Sequence, residues 1–308
     1  MLYTITVLLS AAVGIFAQKE CSIEEMGWDS PLSIAYLVYL LISVLIASLI
    51  MLRFFDKRAF ATLGYSFDSG WTLEALTGIA TGFLIIIAIF VMGTVSGIYR
   101  ASLHQINLPV LAGSFVKYLL LIFMLAVFEE VLFRGYVFQT LVQGIGRIGA
   151  IILVSIFFGL GHYFNPNGTP AGAINTGLAG IFLAVAYLKT RSLWLPSFIH
   201  FSWNFTLGYI LSFPVSGIRL KGAPLTVEYS GLEILTGGEF GPEASLFTTI
   251  VLLVVTILFI FLKRLRPSEP MARRWDKFLS EKHLSEEYML KETTLPENSI
   301  VEKNGEHS

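Results

Sequence analysis

The chain has 308 residues and a formal net charge of -1; it is 55% hydrophobic but only 14% charged, with a mean hydropathy of +0.71. Soluble domains carry roughly 25% charged residues, so this deficit, spread over repeated apolar runs of spanning length, excludes a soluble globular protein and predicts an integral membrane one. The near-neutral charge leaves no nucleic-acid footprint, and a single cysteine, Cys21, excludes an intramolecular disulfide framework or a cysteine-based metal finger.

In chain order, Leu2 to Ala17 is a short apolar stretch, read as a retained first span rather than a signal peptide because no Lys or Arg precedes it and Ile15-Phe16-Ala17 makes a poor cleavage site. Pro31 to Leu52 is a second span, followed by the basic run Arg53 to Arg58. Trp71 to Tyr99 is the third, its end aromatics placed as interfacial anchors. Ala112 to Leu141 predicts one long helix, about 45 Å at ~1.5 Å per residue. A turn over Gln143 to Gly149 leads into a fifth span from Ile151 to near His162. Ala171 to Leu188 and Leu193 to Leu211 follow as spans six and seven, joined by Lys189-Thr190-Arg191. Pro214 to Ala244 reads as a solvated glycine-rich loop, although Glu233, Glu239 and Glu243 could cap one side of the bundle. Ser245 to Leu262 is the eighth span, and a charged tail begins at Lys263.

Loop charge tests this layout. Arg53, Lys57, Arg58, Arg147, Lys189, Arg191 and Lys263, Arg264, Arg266 fall on one side, whereas Lys19, Arg100, Arg219 and Lys221 fall on the other. By the positive-inside rule both termini are then cytoplasmic. The expected fold is an all-α polytopic membrane bundle of about eight helices, seven if the first segment is removed. It divides into residues 1–30, a transmembrane core over 31–265, and a tail over 266–308 expected to be poorly ordered. A cell-membrane location and contact with membrane lipid follow from the same reading.

Within this apolar frame Glu129, Glu130 and Arg134 sit inside a span. Ionisable residues there cost several kcal/mol and mark functional sites by default. Glu129 and Glu130 lie about sixteen residues before the turn near Ile145 and His162 about as many after it, so a hairpin brings them level. The next hairpin, turning near Thr190, supplies His200 and Asn204, four apart and hence on one helix face. A carboxylate in a low-dielectric pocket suits the abstraction of a proton from water. A histidine can orient that water or share a metal ion with the carboxylate, and Asn and His can donate to an oxyanion. Ser155 and Ser202 lack a nucleophile-elbow context, and no His-Glu-x-x-His is present. Glu130 and Arg134, four apart with the acid first, also suit a structural ion pair. Gly144, Gly146, Gly159 and Gly161 read as sites of close helix approach.

Glu129-Glu130-x-x-x-Arg134, Phe158-x-x-x-His162 and His200-x-x-x-Asn204 together resemble the three motifs of the CAAX-processing and bacteriocin-immunity family of intramembrane proteases, over roughly Phe115 to Tyr209. The resemblance implies a membrane-buried polar cavity and proteolysis. Glu129 is then the water-activating base assisted by His162, with His200 and Asn204 as oxyanion donors. Glu130 joins the catalytic set, Arg134 and Phe158 support it, and Phe158 forms a wall of the pocket. It allows a zinc ion on Glu129, His162 and His200 as well as a metal-free glutamate mechanism. The implied substrate is a membrane-anchored or lipid-modified peptide. A non-catalytic immunity, scaffold or peptide-binding protein of the same fold is the alternative, and a proton-relay transporter is weaker because neither repeats nor broken helices are evident.

Overall fold

The computed structural model describes residues 30–67, 70–103, 108–222 and 224–275. The first apolar segment, Cys21, His104, His283 and His307 lie outside the described residues.

The helices begin where the local chemistry permits. Ser30 accepts a hydrogen bond from the Ser33 N–H, and Pro31 takes the first position of α1 (Pro31–Ile50), which a π-turn at Met51–Phe55 extends. Helix α2 covers Trp71–Val95; Gly97 then turns the chain with φ +76° into β1 (Tyr99–Leu103). Helix α3 (Leu108–Arg134) carries the two glutamates and ends at Gly135, whose ψ of -131° is not helical. Helix α4 (Tyr136–Tyr163) is folded back on itself at Gly146, with φ +77° and ψ 170°. Thr169 caps α5 (Pro170–Thr190), and Arg191 closes it in the left-handed region. Helix α6 (Trp194–Asn204) runs into a π-turn, Phe205–Ile210. After β2 (Leu225–Tyr229), α7 (Glu233–Thr236) and two 3-10 turns, Ser245 caps α8 (Leu246–Phe261).

The result is an all-α membrane bundle with one small antiparallel pair, Tyr99 facing Tyr229 and Leu103 facing Leu225. Four helical units are long and apolar enough to cross a membrane: Pro31–Phe55, Trp71–Val95, Leu108–Tyr163 and Pro170–Thr190. The third of these doubles back at Gly146, so it supplies the predicted hairpin. Helix α8 is a shorter apolar helix.

Connections gather at two ends. At one, Arg58 and Arg191 both lie 5.2 Å from the Trp275 ring, and Gln139 donates to the Thr62 and Leu63 carbonyls. Burial lowers the pKa of Arg58 there, with Asp56 opposing the shift. At the other end β1 and β2 pair, and Asn165 donates to the Ser216 carbonyl.

Close backbone approach positions α6. A Cβ on Gly82 would lie 2.4 Å from the Ile199 carbonyl oxygen, and one on Gly78 2.7 Å from Phe198 Cβ. Glycine at both positions lets α2 press its backbone against the helix that carries His200 and Asn204. On α4, Gly159 meets the Ala173 carbonyl in the same way, whereas a Cβ added at Gly144 or Gly161 would meet nothing within 4 Å.

The structure corrects five expectations. The helix read as Ala112–Leu141 is broken at Gly135, because the backbone leaves helical geometry directly after Arg134. Tyr99 is not an interfacial anchor: it starts β1 and is buried, packed against Phe213 at 4.9 Å. The segment Pro214 to Ala244 is not simply solvated, since β2, α7 and the 3-10 turns fold onto the bundle. Gly144, Gly146 and Gly161 do not mediate close packing. In the charged tail, residues 269–275 are helical, and Met271 and Trp275 are buried.

Candidate active site

Glu130 and Arg134, one turn apart near the end of α3, are both fully buried. Arg134 Nη1 donates to Glu130 Oε1 at 2.9 Å, and Nη2 donates to the Gly180 carbonyl at 3.2 Å. Glycine at 180 lets α5 approach α4, since a Cβ there would lie 3.1 Å from Ser155 Cα. The same Glu130 Oε1 lies 2.9 Å from His200 Nδ1. Since a carboxylate only accepts, Nδ1 carries the proton and Nε2 is left for other partners. Glu130 thus joins α3 to α6 while Arg134 joins α3 to α5.

His162 is fixed in the same sense from its own helix. Its Nδ1 lies 2.8 Å from the Phe158 carbonyl, an acceptor, so Nδ1 is the protonated nitrogen and Nε2 faces inward. The Phe158 ring packs against three members of the cluster. The Arg134 guanidinium lies 4.4 Å over it, the His162 ring 4.6 Å away, and the His200 ring 6.0 Å away edge-on.

Glu129 accepts a hydrogen bond from neither Arg134 nor His200, unlike its neighbour. Its Oε2, like Glu130 Oε2, is buried with no hydrogen-bond partner among the described residues. It faces His200 Nε2 at 3.7 Å and His162 Nε2 at 3.9 Å. Both separations exceed direct hydrogen-bonding distance. Three polar atoms therefore converge around a point without bonding to one another, a spacing that one water-sized group can bridge.

That donor set has the chemistry of a zinc site, so its fit matters. Tetrahedral zinc with bonds near 2.1 Å places its ligands about 3.4 Å apart. Both separations here are wider, and among the described residues no group of three or more His, Cys, Asp or Glu could hold a metal ion. The residues as arranged do not fit the ion, and no step is routed through it.

Behind the histidines lies a cavity lined by His162, His200 and Asn204 together with Trp203, Ser216 and Glu243; Phe182, Leu183 and Ile199 form its apolar wall. Glu129 does not line it, so the histidines are shared between the carboxylate and the cavity. Asn204 is buried and lines this cavity. The π-turn begins at the next residue, and such widened turns recur at functional sites. On the opposite side, the loop after α1 seals the start of α6. Leu193 N–H donates to the Gly64 carbonyl, Trp194 Nε1 to the Ser66 carbonyl, and the Tyr65 hydroxyl pairs with Ser197. Burial pushes the Tyr65 phenol well above its ordinary pKa, so it stays neutral.

The structure therefore brings Glu129, Glu130, Arg134, Phe158, His162 and His200 into one contact network, with Asn204 reached through the shared cavity. Sequence reasoning passed over Trp203 and Ser216 and left Glu243 in a solvated loop, although all three line the same cavity. The signal for Glu243 was weak: a lone acid two residues before the Ser245 cap of the last helix. Gly78 and Gly82 were also passed over, although their four-residue spacing inside a span is a small-residue packing signature.

Residues 111–206 match the family model described as type II CAAX prenyl endopeptidase Rce1-like. No curated protein and no solved structure matches the chain. The matched stretch holds all three motifs, from Glu129 to Asn204. The protein is an integral membrane protein, and its residues 111–206 are similar to the Rce1-like type II CAAX prenyl endopeptidases.

Proposed function

We propose that the protein is an intramembrane endopeptidase that cleaves a peptide bond in a membrane-anchored or lipid-modified substrate by a glutamate-activated water. One observation carries the reading: the buried Glu129 Oε2 has no partner among the described residues and is faced by the Nε2 atoms of two histidines whose Nδ1 protons are committed elsewhere. A water at their meeting point would donate one proton to Glu129 and the other to a histidine, which turns its lone pair toward a scissile carbonyl. Glu129 takes the proton as the oxygen attacks and returns it to the leaving amine. Asn204 donates from its amide to the developing oxyanion. His200 can join it from Nε2 only as an imidazolium, because Nδ1 already donates to Glu130. Glu130 and Arg134 act by holding His200 and α3 in register.

By loop charge, the end with Arg58, Arg147 and Arg191 is cytoplasmic, and the cavity lies toward the opposite end, beneath the 212–245 segment. A cell membrane is the proposed location. The second reading is a non-catalytic immunity or scaffold protein. The test is cleavage of a panel of prenylated and unmodified membrane-anchored peptides by purified protein in liposomes, with Glu129→Gln alongside. Cleavage by wild type alone supports the protease; equal cleavage by both proteins removes Glu129 from the mechanism, and no cleavage of any peptide by wild type favours the scaffold.

A further inference from the structure

The segment over the cavity is tied to both halves of the site through one side chain. Glu243 lies in the last 3-10 turn before α8. Its Oε1 accepts from Trp203 Nε1 at 2.8 Å, and its Oε2 accepts from both the backbone N–H and the hydroxyl of Ser216. Trp203 directly precedes Asn204 and stands three residues after His200. Ser216 has a left-handed backbone, φ +47°, and its carbonyl accepts from Asn165 Nδ2 at 3.2 Å. Asn165 follows His162 by three residues, just past the end of α4. One carboxylate therefore grips the helix of His200 and Asn204 on one side. On the other, through Ser216 and Asn165, it grips the segment that leaves His162.

Glu243 is itself held from a third helix. Asn175 of α5 donates to the Glu243 and Ser245 carbonyls at 2.8 and 2.9 Å, while its own carbonyl accepts from Thr249 at 2.7 Å. Thr248 donates to the Pro242 carbonyl at 2.7 Å. All of Asn175's amide is thereby used to fix the turn. A non-glycine residue in the left-handed region is strained and persists only where its surroundings over-determine it. The two donors that Ser216 aims at Glu243 supply that determination.

We infer that Glu243 is a positioning residue for the reaction, setting the distance between the His162 side and the His200–Asn204 side of the site. This rests on the protease reading for its effect on rate, but not for its effect on the imidazoles. A displacement near 1 Å of groups that act together costs on the order of 100-fold in rate.

The experiment compares wild type, Glu243→Gln and Trp203→Phe as full-length protein in liposomes. Glutamine keeps the shape but must turn an amide N–H toward either the indole or Ser216. Phenylalanine removes only the indole donor. The expected result for both is a fall in kcat of about 10- to 100-fold with KM changed by less than about threefold. Melting temperature stays close to wild type, and the side-chain 15N signals of His162 and His200 shift. A kcat within twofold of wild type, or a fall that merely follows lost thermal stability, overturns the inference. Unmoved imidazole signals overturn it as well. If wild type cleaves no peptide at all, it is the protease reading that fails, and the imidazole signals still decide whether Glu243 positions the cluster.

Discussion

His200 Nδ1 and Arg134 Nη1 converge on the same oxygen of Glu130, each at 2.9 Å, at full burial. A single carboxylate oxygen thus ties the imidazole of α6 to the arginine of its own helix. The neighbouring Glu129 has no such bond. Two adjacent glutamates are predicted to fail in different ways when mutated.

For Glu129→Gln, the folded protein loses little, because the Oε2 that changes makes no hydrogen bond among the described residues. Loss of a general base costs 10²–10⁴-fold, so cleavage should drop by about that factor. Thermal unfolding should stay within about 1 °C for a change that removes no native bond. Parallel rate and melting measurements check this.

For Glu130→Ala, the expected defect is in stability first. Removing one partner of a buried ion pair leaves the other charge uncompensated and costs about 3–5 kcal/mol. Arg134→Ala should behave likewise, whereas Glu130→Ala combined with Arg134→Met should recover part of the loss. Denaturant or steric-trap unfolding in bicelles measures the difference. A double variant no more stable than either single one would show that the pair is not coupled.

The α2–α6 contact can be probed with one methyl group. Gly82→Ala puts a Cβ 2.4 Å from the Ile199 carbonyl and must push α6 away, lowering both stability, by about 1–3 kcal/mol, and activity. Gly161→Ala meets nothing within 4 Å and should be neutral in both assays. Similar behaviour of the two variants would rule out close packing at Gly82 as the cause.

Chelation separates the two chemical readings. With His162 and His200 separated from Glu129 Oε2 by 3.9 and 3.7 Å, the expected outcome is that exhaustive dialysis against a strong chelator leaves cleavage within about twofold of the untreated rate. Metal analysis of the same sample should find well under one equivalent. Loss of activity restored by zinc would require the three side chains to close around the ion.

Much of the site was legible because hairpins convert counting into depth. The Gly146 fold-back placed His162 level with Glu129, and the turn at Thr190 did the same for His200. The length of the apolar runs also gave the helices. What escaped depends on contacts between distant segments. The strand from Tyr99 pairs with residues more than a hundred positions away, and no local pattern announces that partner. Glu243 has little in its neighbours to set it apart from a solvated acid; its role comes from Trp203 and Ser216, brought to it by the folded chain. The break at Gly135 was hidden inside an unbroken apolar run, where hydropathy is blind to a single backbone torsion.

The Phe158 ring is a common packing surface for the site. The Arg134 guanidinium lies over it and both imidazoles touch it, while Arg134 donates to Glu130 and to the Gly180 carbonyl. Two glutamates that are chemically identical and consecutive in sequence are bonded unlike: Glu130 accepts from both Arg134 and His200, and Glu129 accepts from neither. Because one ring touches the arginine and both imidazoles, enlarging or shrinking it would disturb all three at once.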